Sequence, residues 1–380
     1  MRLAVIVRVL GLSTILALIL AATGAGTAEA YPQFQLSTGT DRCITCHFSP
    51  AGGGLINDYG RDEAGSTISR GGDGRFAHGA WTPPSWLQLG LDLRGAAGLK
   101  LREPETETLA FPMQTDLYIR AGGQHISVNI TAGLRGGARD PQPALVERLV
   151  SREHYAMYER DSGTYVRAGR FFPIYGIRSQ DHTAYVRRYL GLHTLEEPYG
   201  LGAGTYGADW EAHVSAFVPR PIEFLGSGLK STGVTAYYER RMFNETAAIA
   251  GQAKVATSST DSRVTAGIVG KRWFEQAGVM LLAELDLQRQ AFADNAGPTR
   301  YQLAGYLGVS RFVARGVMVG AAIHRWQPDL RVHSARDAYE VNLQYFPRAH
   351  LELHLLTRVS GSGDFDDPGL LTFLQLHYYL

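Results

Sequence analysis

Apolar and polar residues alternate with a period of two along most of the chain, from Ser85 to the C-terminus. In Trp86–Arg94 four leucines occupy every second position, with polar residues or glycine between them. The same alternation recurs in Ala277–Gln288, in Ala338–Tyr345 and in His350–Leu355. Successive side chains of a strand point to opposite faces, whereas helices repeat every three to four residues. The pattern therefore predicts a β-protein without helical repeats.

The predicted strands, at about 8–16 residues, are longer than the 5–6 residues usual in globular sheets. Their connections alternate between long and short, and fifteen connections imply sixteen strands. This alternation and the even strand count are typical of outer-membrane barrels, whose short turns and chain ends face the periplasm. Long connections are predicted near 102–110, 137–150, 173–199, 219–230, 257–262, 291–299, 328–336 and 361–369, and short ones near 122–123, 161–163, 208–209, 242–244, 273–275, 314–316 and 346–348.

Alternation alone also fits a soluble β-sandwich or a lipocalin-like barrel, with the apolar face turned inward. Sixteen long strands are unusual for a sandwich, and 19 Tyr and 5 Trp suit the aromatic girdles of membrane barrels. The last strand, Leu370–Leu380, resembles the C-terminal targeting strand of outer-membrane proteins, which usually ends in Phe. We predict a mainly β fold, a sixteen-stranded antiparallel transmembrane β-barrel over residues 85–380, in contact with the lipid of the bacterial outer membrane.

The composition excludes several protein classes. The chain has 45% hydrophobic and 19% charged residues and a net charge of +1, so it lacks the basic excess of a nucleic-acid-binding protein. It lacks the apolar runs of about 20 residues that helical membrane proteins need. Its two cysteines are too few for a disulfide scaffold. A barrel wall that averages an apolar outer face with a polar lumen remains compatible with these values.

Residues 1–30 have the features of a signal peptide. Two arginines flank an apolar run from Val9 to Ala22, and Ala28-Glu29-Ala30 forms an A-x-A cleavage pattern. The run is short for a transmembrane anchor, which is the alternative. Cleavage would leave 35 basic and 35 acidic residues and would start the mature chain near Tyr31.

The segment Cys43-Ile44-Thr45-Cys46-His47 is a C-x-x-C-H motif, the attachment signature of c-type haem. Two thiols at this spacing add to the haem vinyl groups, and the adjacent imidazole becomes the proximal iron ligand. A thioredoxin-like dithiol and a simple disulfide are the alternatives, but no βαβ pattern surrounds the motif. We predict one covalently attached haem c, bound by Cys43, Cys46 and His47.

The haem segment, residues 31–84, is too small to bury a haem alone. Gly52-Gly53-Gly54 and Gly71–Gly74 are loop-like, and the segment holds few large apolar residues. A sixteen-stranded barrel has a wide polar lumen. We therefore predict that residues 31–84 plug the barrel and that the barrel wall shelters the haem.

Several residues are candidates for the sixth iron ligand. His78 is the first choice because it lies in the same segment, and a solvated loop histidine is its alternative. Met113 is the second choice, and the barrel histidines His125, His350 and His354 come third. An open sixth position would favour peroxidase or gas-binding chemistry.

Charged residues outside the motif suggest two further roles. Arg170–Gly176 ends a strand and enters the longest loop, which could fold inward and bring Arg178 or Arg187 near haem propionates or anionic solutes. Lumen arginines balanced by acids are the alternative. Two acidic loop groups could attract Fe(II), although solvated carboxylates are commoner: Glu103, Glu105 and Glu107, and Asp364, Asp366 and Asp367.

Three stretches together resemble the N-terminal signature of fused cytochrome–porins, which include the outer-membrane iron oxidases of iron-oxidising bacteria: Phe34–Gly39, Cys43–His47 and Asn57-Asp58-Tyr59-Gly60-Arg61. Ser49–Gly54 resembles a related group of monohaem porin-like proteins. The iron oxidases usually carry a Pro-x-Leu spacer where this chain has glycines. The resemblance covers roughly 30 residues, and the barrel matches by pattern only.

The resemblance implies one c-type haem before a sixteen-stranded barrel. It also implies electron transfer across the outer membrane, between an extracellular donor or acceptor, Fe(II) among the candidates, and a periplasmic electron-carrier cytochrome. If the protein is an enzyme, it would be an oxidoreductase such as a cytochrome-type iron oxidase. A passive porin with a structural or gating haem plug and a haem peroxidase are the other functions considered.

Overall fold

The structure is a computed structural model that describes residues 36, 42–102, 104–135, 148–179, 181–193, 196–219, 231–363, 365 and 367–380. The predicted signal peptide, residues 1–30, lies outside the described residues, as does the start of the predicted haem segment apart from Leu36.

Sixteen antiparallel strands form one closed barrel in which every strand pairs with its neighbours in sequence, and β1 closes the barrel against β16. The predicted fold class is confirmed. The strands are β1 Leu87–Arg102, β2 Glu105–Gly122, β3 Ile126–Arg135, β4 Leu149–Glu159, β5 Tyr165–Arg170, β6 Tyr199–Tyr206, β7 Trp210–Val218, β8 Thr232–Met242, β9 Ala247–Thr257, β10 Asp261–Phe274, β11 Val279–Phe292, β12 Arg300–Ala314, β13 Val317–Gln327, β14 Arg336–Arg348, β15 Leu351–Ser362 and β16 Gly369–Tyr379.

The alternating pattern has its apolar face on the outside. On β9, Ile249 and Val255 are 51% and 52% exposed on the outer surface, whereas Gln252 and Lys254 are buried inside the barrel. A soluble sandwich would show the opposite arrangement. An apolar exterior on a closed sheet is what a lipid environment requires. No helix among the described residues is long and apolar enough to cross a membrane.

Two predicted long connections are wrong. The connection predicted near 102–110 consists mostly of strand residues. β1 extends to Arg102 and β2 begins at Glu105, and Leu101 pairs with Thr106. An ion pair of 2.9 Å between Lys100 and Glu107 joins the two strands there. The connection near 257–262 is short, because β9 ends at Thr257 and β10 begins at Asp261.

The described part of the predicted haem segment, called the plug below, lies at the end of the barrel that carries the short turns. It contains α1 Cys43–Cys46, α2 Asp58–Glu63, a π-helical turn Ala64–Ile68 and a 3₁₀ turn Phe76–Gly79. The Arg70 N–H donates to the Phe346 carbonyl over 3.0 Å, and the Ala349 N–H donates to the Gly71 carbonyl over 2.9 Å. These bonds fix the plug to the β14–β15 turn.

Apolar contacts also hold the N-terminal segment against the inner wall. Ile68 packs with Phe312, Met318 and Phe346. Leu36 packs in a separate cluster with the wall residues Ala248, Trp273, Met280 and Leu282. The segment has too few apolar residues to form a core of its own. Ile68 and Leu36 pack against the barrel instead.

Candidate functional site

The C-x-x-C-H motif forms a single helical turn followed by an extended residue. The His47 N–H donates to the Cys43 carbonyl over 3.0 Å and closes α1. His47 itself is extended, with φ −118° and ψ 153°, and forms a β-bridge with Ile56. Cys43, Cys46 and His47 all line the same cavity.

Asn57 ties the motif to the next helix. Its Nδ2 donates to the carbonyl oxygens of Ile44 and Thr45, over 3.2 Å and 2.9 Å. Its Oδ1 accepts the Gly60 N–H over 2.9 Å, which caps the N-terminus of α2. One side chain thus satisfies the end of α1 and the start of α2.

Gly60 and Arg61 fix the packing beneath the motif. A Cβ at Gly60 would lie 2.5 Å from the Cys46 carbonyl oxygen, so only glycine lets α2 approach α1 this closely. The buried Arg61 donates from Nη2 to the Leu89 carbonyl of β1 over 2.5 Å and lies 5.3 Å above the Phe76 ring. Three residues of the Asn57–Arg61 signature therefore have a structural reason to be present.

A cavity lies between the plug, the wall and a loop that folds into the lumen. The space open to the centres of water molecules is about 280 Å³, close to the lower limit of about 300 Å³ for small-molecule pockets. Both cysteines and His47 line it, together with apolar side chains and five arginines. Its lining includes Arg42, Cys43, Cys46, His47, Gly52, Ile56, Ala64, Ile68, Asp92, Arg94, Tyr118, Arg152, Phe172, Tyr175, Arg178, Arg187, Phe346 and His377.

Gly52 keeps space open beside the cysteine. It has a φ of +73°, and a Cβ there would lie 3.1 Å from Cys43 Sγ and 4.0 Å from His47 Cδ2. A side chain at this position would occupy the volume next to the thiol. Burial raises the pKa of the Cys43 thiol above its usual range. The motif residues thus line one side of the cavity, with Gly52 beside Cys43.

His78 lies away from this cavity. Its Nε2 is 3.1 Å from the Tyr378 hydroxyl, and its ring packs edge-on against His350 at 4.7 Å. The described histidines that line the cavity are His47 and His377. Iron binding by His78 stays a prediction, and the structure brings His377 to the cavity instead.

His377 was missed by the sequence analysis. Its Nδ1 lies 2.8 Å from the Glu352 carboxylate, and its Nε2 lies 3.3 Å from Asp92. In sequence it is one polar residue of the alternating strand β16, and its partners come from β15 and β1. Only the register of the closed barrel brings them together.

The long loop between β5 and β6 folds inward, which the sequence had left open as one of two possibilities. It contains α3 Tyr185–Arg188, and it is anchored on the far wall by three bonds. The Tyr175 hydroxyl donates to Asp286 over 2.7 Å, the Gly176 N–H to Gln252 over 2.6 Å and the Ile177 N–H to Glu284 over 2.9 Å. Residues of this loop between Phe172 and Leu192 line the cavity.

The two arginines singled out in that loop behave differently. Arg178 forms an ion pair of 3.1 Å with Glu211 and donates to the Pro50 carbonyl of the plug over 3.3 Å. Arg187 donates to the carbonyls of Leu192 and Ser179, and it forms no ion pair among the residues that the structure describes. Burial lowers the pKa of the Arg187 guanidinium. Arg178 therefore fits the balanced alternative, whereas Arg187 brings a positive charge to the cavity.

Two of the loop carboxylates considered for Fe(II) binding form ion pairs with basic residues. Glu107 pairs with Lys100, and Asp367 pairs with Arg102 over 2.6 Å. Glu105 lies in β2 opposite Arg102. Glu103, Asp364 and Asp366 lie outside the described residues.

Solved structures of outer-membrane porins share this fold. OmpT of Vibrio cholerae in its trimer form has a TM-score of 0.60 at 9% identity, over 77% of this chain and 99% of that chain. OprB of Pseudomonas putida has a TM-score of 0.59 at 11% identity, over 77% of this chain and 94% of that chain. An anion-selective porin from Comamonas acidovorans has a TM-score of 0.56 at 8% identity, over 77% of this chain and 99% of that chain. No protein-family model and no curated protein matches the chain.

Proposed function

We propose that the protein is an outer-membrane monohaem cytochrome–porin that transfers electrons between an extracellular donor or acceptor and a periplasmic carrier. The observation that carries this proposal is the placement of Cys43, Cys46 and His47 on one cavity inside a porin-like barrel. A thioredoxin-like dithiol would need no such cavity and no adjacent histidine.

The residues around the cavity fit a c-type haem. Cys43 and Cys46 would hold it through thioether bonds, and His47 would supply the proximal nitrogen. Gly52 leaves room beside Cys43, and apolar side chains such as Phe172 and Phe346 line the rest of the cavity. A haem bound here supplies one-electron chemistry at its iron.

Two polar residues near the cavity are candidates to contact a bound haem, one of them through its propionates. Arg187 has no carboxylate partner in the described part of the chain, and it is the candidate to pair with a propionate. His377 also lines the cavity and would be a candidate to help hold the iron, because its Nδ1 contact with Glu352 is the arrangement that orients metal-bound imidazoles.

The test is the optical spectrum of the full chain, expressed with the machinery for haem attachment. The wild type is expected to carry one haem that stays bound under denaturing conditions, and its reduced spectrum should be low-spin. The Cys43→Ala/Cys46→Ala variant should lack that haem. A wild-type protein that folds as a barrel without covalent haem would contradict the proposal.

A passive porin with a structural plug is the second candidate, favoured by the shared fold. The matched structures include a protein described as an anion-selective porin. This function predicts stable ion conductance in planar bilayers that is the same with and without the haem attachment cysteines. Electron transfer through an enclosed haem predicts low conductance in the wild type and a rise when the plug is displaced.

A further inference from the structure

Three side chains that could hold a metal ion lie together inside the barrel, next to the cavity. Asp181 comes from the inward loop, His324 from β13 and Glu340 from β14. One ligand atom of each lies within 4.8 Å of the others. Atoms bound to one ion at about 2.0–2.2 Å are at most about 4.4 Å apart. A small inward shift would therefore let all three bind a single ion.

His324 is the residue that distinguishes this group from an ordinary ion-pair network. Its side chain is 1% exposed, and neither ring nitrogen has a hydrogen-bond partner among the described residues. Nε2 faces Glu340 Oε2 at 3.5 Å, which is longer than a formed N–H···O bond. A buried imidazole without hydrogen bonds is costly unless something else satisfies its nitrogens.

Arg358 now supplies the positive charge at this position. Its Nη2 bonds to both Asp181 and Glu340, and its Nη1 donates to Thr183 Oγ1 over 2.6 Å. The two carboxylates of Asp181 and Glu340 exceed the one guanidinium of Arg358 by one negative charge. Arg358 is therefore a built-in competitor for the cation, and a bound ion would displace its guanidinium from the carboxylates.

We propose that Asp181, His324 and Glu340 bind a divalent first-row transition-metal ion such as Fe(II), which enters from the lumen. One imidazole with two carboxylates suits Fe(II), Mn(II), Co(II) or Zn(II) better than Mg(II). The Asp181 side chain is 24% exposed, whereas that of Glu340 is 7% exposed, so the group is open on the loop side. Entry from the lumen meets Asp181 first.

The position of the group links it to the haem cavity. The Asp181 N–H donates to Ser179 Oγ over 3.1 Å, and Ser179 lines the cavity beside Arg178. The role of the ion as electron donor rests on the proposed function. An Fe(II) ion bound here would lose one electron and become Fe(III), and the ferric iron of the attached haem would gain that electron and become ferrous.

The experiment measures Mn(II) binding to the full chain in detergent by the loss of the free Mn(II) electron paramagnetic resonance signal. The wild type is expected to bind one Mn(II), and excess Mg(II) should not displace it. His324→Gln should weaken binding at least about tenfold, as loss of a metal-site residue does. Arg358→Gln should strengthen binding, because the competing guanidinium is gone.

Asp261→Asn is the matched control. Asp261 is a buried lumen carboxylate paired with Arg263 at 2.7 Å on β10, and its replacement should leave Mn(II) binding unchanged. Heat-modifiable migration on gels verifies that each variant forms a barrel. Absence of Mn(II) binding, equal binding in His324→Gln, or weaker binding in Arg358→Gln would overturn the proposal.

A second readout separates this inference from the proposed function. Fe(II) should reduce the covalent haem of the wild type faster than that of His324→Gln. Equal rates would reject the metal site as the donor site and leave electron transfer intact. Stoichiometric Mn(II) binding to a barrel without covalent haem would support the metal site and reject the cytochrome function.

Discussion

The side-chain amide of Asn57 donates to the carbonyl oxygen of Thr45 over 2.9 Å and so holds the cysteine-bearing turn. The same residue caps α2 through Gly60. This one contact links the attachment motif to the helix that packs beneath it. Its loss should therefore affect the cavity as well as local stability.

Substitutions at Asn57 separate these two roles. Asn57→Asp keeps the acceptor that caps α2 and loses the donor to Ile44 and Thr45, whereas Asn57→Ala loses both. A lost cap costs about 1 kcal/mol. Hydrogen exchange in residues 42–63 should therefore be slowest in the wild type, faster in Asn57→Asp and fastest in Asn57→Ala. Equal exchange in all three proteins would show that the hydrogen bonds of the Asn57 side chain do not stabilise the plug.

Gly60→Ala should loosen the contact between α1 and α2. The new methyl group would lie 2.5 Å from the Cys46 carbonyl oxygen, and such overpacking costs about 1–3 kcal/mol. We expect a lower yield of attached haem per folded barrel. Gly270→Ala on β10 is the control, because nothing lies within 4 Å of its new methyl group. Similar haem yields in the two variants would argue against this packing.

Tyr175→Phe should weaken the anchor of the inward loop. It removes the 2.7 Å bond to Asp286 and leaves that buried carboxylate with one donor fewer, at a cost of about 1–3 kcal/mol. Conductance in planar bilayers should rise, with more frequent openings. Tyr301→Phe, on the exposed end of β12, serves as the control. Unchanged gating in Tyr175→Phe would mean that this bond does not hold the loop.

The Cys43 thiol should react slowly in the folded chain before haem is attached. Burial raises its pKa, so at a given pH a smaller fraction is thiolate than in the unfolded chain. In a Cys46→Ser background, iodoacetamide should label Cys43 faster in unfolded than in folded protein at pH 8. The folded rate should keep rising at more alkaline pH. Identical pH profiles in both states would contradict a raised pKa of the Cys43 thiol in the folded chain.

Much of the fold could be predicted because a lipid-facing wall forces strict alternation, as on β9. The β1–β2 extension was missed because Glu105–Thr108 carries no apolar face, and polar strands beyond the membrane look like loops in sequence. His78 was favoured by its nearness in sequence. The contacts of His377, and the proximity of Asp181, His324 and Glu340, follow from strand register and loop position. Neither can be read from the residues near each position in the sequence.

Electron transfer across a vesicle membrane tests the central proposal most directly. Vesicles would contain the full chain and a trapped oxidised c-type cytochrome, with a polymer-linked reductant outside that is too large to pass the lumen. The wild type should reduce the trapped cytochrome, and the Cys43→Ala/Cys46→Ala variant should not. Equal rates in both, or no reduction by a wild type that carries covalent haem, would contradict the proposal.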